Sequence, residues 1–388
     1  MKVLILGGSN SRNSGGVFDT ARMMGQSLHE NNRLDVEYLM YDDEYSEEDK
    51  QYYSPLPVHS YTVKGSRKVG FSPNIYDKIE SINPDIVHTQ SLWMYLSYAN
   101  KKYNRKTGTP YIVSPHGMLD RWQLKQSFWK DLKKNIVLRL YEQKHLEHAN
   151  CIHALCQEEH DAIRAIGLKN PIAIIPNGME LPVNGNHLKE KSNGSQTKKL
   201  LFLARIHQKK GIDNLLEAWS LLKPNYDNWE LVIAGETKDT EYMQYLTGIR
   251  KRLEIEKTAS FIGGRFGAAK QAVLKDADAY ILPSFSEGLP MSVLEAWSFR
   301  LPALITPHCN LPEGYSKNAA IKIDTSPASI AEGIRKIISL PENERKEMGS
   351  KGYELVKDRF SWTRVANEMT ELYNWVSGKS GQPEFVYV

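Results

Sequence analysis

The stretch Pro283–Ile305, PSFSEGLPMSVLEAWSFRLPALI, reads as the end of one strand, a tight loop, a helix and a following strand. The apolar run Tyr280-Ile281-Leu282 before it is of the buried-strand kind and is closed by Pro283. Gly288 and Pro290 open the helix, with Pro at the first helical position, where its missing N–H would be unpaired anyway. Leu289, Val293, Leu294 and Trp297 recur at helical spacing and give one apolar face. Glu287 stands before the helix and Glu295 inside it, a separation of about 12 Å at a rise of 1.5 Å per residue. A helix start presents unpaired N–H groups and partial positive charge, so it favours a phosphate. Carboxylates in that setting accept hydrogen bonds from hydroxyls. Sugar, diphosphate and ribose in series meet both demands. The spacing alone also fits two ordinary glutamates, one capping the helix and one on its solvated face.

Leu200–Gly211, LLFLARIHQKKG, places Arg205 and Lys210 in one loop after an apolar strand. A helical pattern follows in Ile212, Leu215, Leu216, Ala218 and Trp219. The planar fork of Arg and the point charge of Lys both suit phosphate oxygens, so the loop reads as a diphosphate clamp.

In this order and spacing Arg205, Lys210, Gly211, Pro283, Ser284, Glu287, Gly288 and Glu295 resemble the retaining glycosyltransferases of family 4. The resemblance runs over nearly all of the chain. It implies an α/β chain of the GT-B class, with two Rossmann-like parallel-sheet domains facing each other across a cleft. It also implies metal-independent transfer of a hexosyl group from a nucleotide sugar, with retention at the anomeric carbon. Arg205 and Lys210 are then expected to stabilise the leaving diphosphate, and Glu287 to orient the sugar. His116, which with Gly117 fits the family's H-G position, is by the same resemblance expected to lie by the transferred sugar. Donor contacts are expected from Gly15, Gly16, Gly235, Ile262, Gly263, Gly288, Leu289, Pro290, Met291 and Glu295, the last at the ribose. UDP-glucose is the favoured donor, ahead of UDP-galactose, UDP-N-acetylglucosamine and GDP-mannose. A saccharide or lipid-linked acceptor of polysaccharide or lipopolysaccharide biosynthesis follows from family habit.

Composition sets outer bounds. A chain of 388 residues exceeds one ordinary core, so two domains are expected. Hydrophobic residues at 41% with 25% charged are those of a globular protein, and no apolar run approaches the roughly 20 residues that span a bilayer. MKVLILGG reads as a first strand rather than a signal peptide. Cys151, Cys156 and Cys309 form neither a disulfide framework nor a metal-ligand pattern. The expected location is the cytoplasm. No metal or other cofactor is expected beside the donor. A net charge of +4 is too mild to make the whole surface a partner for nucleic acid.

In chain order, the strand Lys2–Leu6 leads into the polar loop GGSNSRNSGG and a helix from Val17 to Leu28. The G-x-G-x-x-G spacing of a dinucleotide site is absent. Gly15 and Gly16 would let a backbone approach an anion or a sugar, or simply loosen the loop. Asp35–Met40 reads as a strand and Tyr41–Ser66 as an irregular excursion. PDIVHTQS (Pro84–Ser91) and TPYIVSPHGM (Thr109–Met118) read as strands with polar tips, which makes His88 and His116 candidates. Ala149–Ala154 and Ile172–Pro176 close the first domain, 1–183. The polar stretch 184–199 reads as a linker. The second domain, 200–360, repeats the alternation through Trp229–Ala234, Ala259–Gly263 and Ala279–Leu282. Residues 361–388 carry a helix, Trp362–Val376, expected to return to the first domain, and a tail of unassigned role.

Residues 120–148 combine Arg121, Lys125, Lys130, Lys133, Lys134, Arg139 and Lys144 with Trp122, Phe128 and Trp129. The pattern reads as a helix lying on an anionic membrane, at the inner face of the cytoplasmic membrane, or as ordinary solvated surface helices. Asp276-Ala277-Asp278 matches a metal-holding D-x-D pattern but stands before a strand, where a structural role is expected. A UDP-sugar epimerase and a non-catalytic nucleotide-sugar-binding protein remain as other readings of the same residues.

Overall fold

Four successive residues, Val3–Leu6, are wholly buried, as in a strand covered on both faces. The computed structural model describes residues 1–119, 142–182, 197–222 and 228–388. It divides into two compact units, Met1–Gly178 with Trp362–Val388, and Met179–Ser361.

The first unit is built on β1 (Lys2–Ser9), β2 (Asp35–Tyr41), β3 (Val58–Tyr61), β4 (Ile86–Thr89), β5 (Tyr111–Val113), β6 (Cys151–Ala154) and β7 (Ile172–Ile174). All pair in parallel, in the order β7-β6-β5-β4-β1-β2-β3. A short strand, Val386–Tyr387, joins β7 antiparallel, so the tail completes a sheet edge. Helices α1 (Gly16–Asn32), α2 (Ile75–Ile82), α3 (Tyr95–Thr107) and α4 (Gln157–Ala165) connect the strands. Helix Trp362–Val376 buries Val365, Ala366, Met369, Leu372 and Tyr373 in the core shared with Phe18, Met24 and Leu28 of α1. Each large apolar side chain so buried contributes about 1.5–3 kcal/mol.

The segment expected to be irregular, Tyr41–Ser66, instead supplies β3 and a helical turn, Ser46–Asp49. Its acids hold the loop after β1. Asp43 accepts from Ser11 Oγ at 2.7 Å and Asn13 Nδ2 at 3.0 Å, and Arg12 Nε lies 2.9 Å from Asp49. The hydrogen bond from Arg12 is the chief cause that lowers the Asp49 pKa.

His88 is fully buried and belongs to a hydrogen-bonded chain rather than to a site. Its Nδ1 meets Tyr373 Oη at 2.7 Å and its Nε2 meets Ser114 Oγ at 2.6 Å. Ser114 Oγ also meets His153 Nδ1 at 2.6 Å, and His153 Nε2 lies 2.7 Å from the Ile175 carbonyl oxygen. That carbonyl only accepts, so the protons are placed in sequence: His153 Nε2–H to Ile175, Ser114 to His153, His88 Nε2–H to Ser114, and Tyr373 to His88.

The second unit holds β8 (Lys198–Leu203), β9 (Trp229–Ala234), β10 (Ala259–Gly263), β11 (Ala279–Leu282), β12 (Ala303–Ile305) and β13 (Ala320–Lys322). They form a parallel sheet in the order β10-β9-β8-β11-β12-β13. Helices α5 (Ile212–Ser220), α6 (Thr240–Arg252), α7 (Gly267–Asp276), α8 (Met291–Ser298), α9 (Pro327–Ser339) and α10 (Glu342–Arg359) complete it. The chain enters this unit at Met179, earlier than the boundary expected at 183, because the Met179 N–H donates to the Phe360 carbonyl at 2.6 Å. Of the stretch read as a linker, 184–196 lies outside the described residues. Among the described residues no helix is long and apolar enough to cross a membrane.

Candidate active site

Ligand sites of parallel α/β sheets form at the carboxyl ends of the strands. In the second unit Arg205 follows β8, Gly235 follows β9, Ile262 and Gly263 end β10, and the Glu287 loop follows β11. These four strands are neighbours in the sheet.

Two glycines make the tips compatible. Gly211 has φ 66°, and a Cβ there would strike the Pro283 carbonyl oxygen. A Cβ on Gly235 would strike the Ala204 carbonyl oxygen, while its N–H donates to the Gly263 carbonyl at 3.0 Å. The loop from β8 thus lies against the loop from β11, secured by Phe285 N–H to the Lys209 carbonyl at 2.8 Å.

That contact delivers Lys210 to Glu287, at 2.5 Å between Nζ and Oε1. Their side chains are only 11% and 8% exposed. Ser284 Oγ donates to the same oxygen at 2.6 Å. The Asn310 amide donates to the Glu287 carbonyl at 2.8 Å and the Gly288 carbonyl at 3.0 Å, which fixes the turn. Arg205 is exposed. Burial lowers the pKa of His207 in this loop, and the neighbouring Arg205, Lys209 and Lys210 lower it further.

Pro290 proves to be the residue before the helix rather than its first, since its ψ of 95° is extended and α8 begins at Met291. Proline has no side-chain acceptor for the first-turn N–H groups. Gly288 is exposed, with open space where a Cβ would stand, and Leu289 and Met291 are half-buried beside it. Glu295, one turn into α8, pairs with Lys270 of α7 at 2.5 Å, the side chains being 20% and 35% exposed. Ser284 stood inside the sequence motif without a role. Lys270 and Asn310 carried no local signal, because their partners are distant in the chain.

Gly15, Gly16 and His116 belong to the first unit. Gly15 (φ 57°) and Gly16 open α1 with empty space above both. His116 ends the β5 tip, its Nε2 2.6 Å from Gln90 Oε1. Burial, aided by nearby His153, lowers its pKa to about 3.

Asp276 and Asp278 are engaged by one lysine. Lys199 Nζ meets Asp276 at 2.6 Å and the Lys199 N–H meets Asp278 at 2.9 Å, a tie between α7 and β8. Among the described residues no group of His, Cys, Asp and Glu is placed to hold a metal ion. The basic, aromatic stretch lies outside the described residues over 120–141.

The family model of the glycosyl transferases group 1 matches residues 185–355, and that of the glycosyl transferase 4-like domain matches 15–178. An uncharacterized glycosyltransferase of Haemophilus influenzae is 26% identical over 54% of this chain. The chain spans 57% of the length of that relative. A GDP-mannose:cellobiosyl-diphosphopolyprenol alpha-mannosyltransferase of Komagataeibacter xylinus is 22% identical over 98% of this chain and 94% of its own. Among solved structures, HepE of Anabaena in complex with UDP superposes with a TM-score of 0.76 at 16% identity, covering 97% of this chain and 100% of that one.

Proposed function

Since the chain belongs to the group 1 glycosyltransferases and has their GT-B fold, we propose that it moves a hexosyl group from a nucleotide sugar to a glycan or lipid-linked glycan. The observation that carries this reading is the Lys210–Glu287 contact, a cation and an acid held together by one loop pair at the strand tips. An ammonium has three hydrogens, so Lys210 can serve Glu287 and still donate to a diphosphate. Arg205 supplies the second cation. Fixed positive groups act most strongly where charge develops, here on the departing diphosphate, and do so without a metal. The N–H groups of Gly288 and Leu289 hold the phosphates or the sugar. Glu287 orients the ring through its hydroxyls, Glu295 accepts from the ribose, and His116 bonds the sugar's 6-hydroxyl. Covalent double displacement needs a carboxylate under the anomeric carbon. The family resemblance implies the other route to retention, attack by the acceptor oxygen on the face the diphosphate leaves, with the acceptor's proton passing to the departing diphosphate.

UDP-glucose is the first donor to test and GDP-mannose the second. The supporting facts are the UDP bound by HepE and the GDP-mannose in the name of the Komagataeibacter relative. The proposed location is the cytoplasm, with 120–148 touching anionic membrane. Support for that contact comes from α3, which adds Lys101, Lys102, Arg105 and Lys106. Burial lowers the Lys101 pKa, and neighbouring Lys144 and Arg105 lower it further.

Thermal shift against a panel of nucleotide sugars, followed by product analysis with and without acceptor, tests the reading. A tight donor raises the melting temperature, and sugar is transferred only when acceptor is present. Conversion of the donor alone to an isomeric sugar identifies an epimerase. Binding with neither product identifies a sensor, and either result overturns the proposal.

A further inference from the structure

Two strand tips of the first unit carry left-handed residues that are not glycine, Trp93 (φ 64°) and His116 (φ 49°). Such backbone persists only where surrounding groups hold it. At His116 the holding groups are buried. The next residue, Gly117, is also left-handed (φ 75°), and its N–H donates to Glu159 Oε1 at 2.6 Å. The other oxygen of Glu159 accepts the Leu155 N–H at 2.7 Å. Glu159 is 6% exposed and lies in the first turn of α4, so one carboxylate joins the exit of β6 to the His116 turn. The ring is held separately. Gln90, 1% exposed, is anchored by its own N–H to the Leu6 carbonyl at 2.7 Å and offers Oε1 to His116 Nε2 at 2.6 Å. An amide oxygen only accepts, so Nε2 carries the hydrogen and Nδ1 keeps a lone pair.

We propose that Glu159 and Gln90 are positioning residues that fix His116 as its Nε2–H tautomer and leave Nδ1 as an acceptor for a hydroxyl of the saccharide. The acceptor role rests on the assignment of His116 to the sugar given above. Burial keeps the ring neutral through neutral pH, so His116 accepts a hydrogen bond and does not supply a proton. Glu159 works through the backbone of the turn and Gln90 through the ring that the turn carries, so loosening the turn also loosens the ring from Gln90.

Nitrogen-15 spectra of His116, amide exchange at Gly117 and steady-state kinetics test this together. In the wild-type protein the Nε2–H tautomer is expected, with Gly117 exchange slowed by about 100-fold or more. Glu159→Gln turns an amide N–H against one of the two backbone donors. Gly117 exchange then accelerates and the tautomers mix. Turnover falls about tenfold, with the donor KM within about twofold. A His116→Ala/Glu159→Gln double variant is expected to be no slower than His116→Ala alone. Unprotected exchange at Gly117 in the wild type overturns the positioning role without requiring any variant to fold. Unchanged His116 resonances in Glu159→Gln, or multiplicative losses in the double variant, overturn it as well. Full turnover in His116→Ala instead overturns the sugar assignment and the acceptor role with it, while the spectra still decide the positioning.

Discussion

Around Lys210 the second unit joins its groups by charge, whereas around Ser114 the first joins them by neutral hydrogen bonds from Tyr373 to the Ile175 carbonyl. The two designs answer different demands. An ion pair beside an exposed glycine can share its cation with an arriving anion, since the ammonium has hydrogens to spare. A buried chain of histidines has no such reserve. Each proton has one place, and a charge there would be unpaired. Ionic tips suit a ligand that comes and goes, and neutral tips suit a frame that does not move.

The contrast is broken most severely by removing one partner of the ion pair. Lys210→Ala leaves the Glu287 carboxylate largely buried and unpaired, which is expected to cost roughly 3–5 kcal/mol of stability and about 10³-fold in turnover. Adding Glu287→Gln should restore the melting temperature but not the activity. Recovery of both would show the pair to be structural only.

Acid is expected to act next, and on the first unit. His153 is held down to about 4 and His88 well below its free value, in both cases chiefly by burial. Between the folded and the free pKa the unfolded chain binds more protons. The stabilising effect is therefore complete above about pH 6.5 and declines as the pH falls toward about 4. His153 alone accounts for something on the order of 3 kcal/mol. Hydrogen exchange at pH 7 and pH 4.5 should show β4, β5 and β6 losing protection ahead of β8 and β9. Equal loss in both sheets would erase the distinction.

Arg205 sharpens the comparison from the other side. It is exposed, so Arg205→Ala should move stability by less than about 0.5 kcal/mol while lowering kcat about 10²-fold. Unaltered turnover would remove it from the diphosphate. The smallest effect is expected at Glu295, whose pair with Lys270 is partly solvated. Glu295→Gln should raise the donor KM roughly tenfold with kcat within about twofold.

The charged half of the candidate site was legible as a cluster because its signals are local. The Arg205–Lys210 spacing and the Glu287–Glu295 spacing each sit within a dozen residues, bounded by glycine or proline. Strands β8 to β12 were legible for the same reason, as continuous apolar runs between breakers, whereas β13, three residues with only Ala320 buried, was not read. The neutral half was not. The bond between Tyr373 and His88 spans 285 positions, and that between Glu159 and Gly117 spans 42, with nothing in either neighbourhood to announce it. His88 therefore read as a candidate at a strand tip when it is a core residue. Pro290 was misplaced by one position because proline suits both the residue before a helix and the first within it. β3 was hidden in an acidic, tyrosine-bearing segment whose edge strand is only partly covered.

The return of helix Trp362–Val376 and strand Val386–Tyr387 to the first sheet has a consequence for biosynthesis. Residues 179–361 form an uninterrupted globule that can close as soon as it clears the ribosome. The amino-terminal sheet, although made first, must wait with an unfilled α1 surface until Tyr373 and Val386 emerge. Birth order and maturation order are thus reversed in this polypeptide, and the half made earlier is the one exposed longer to chaperones and proteases.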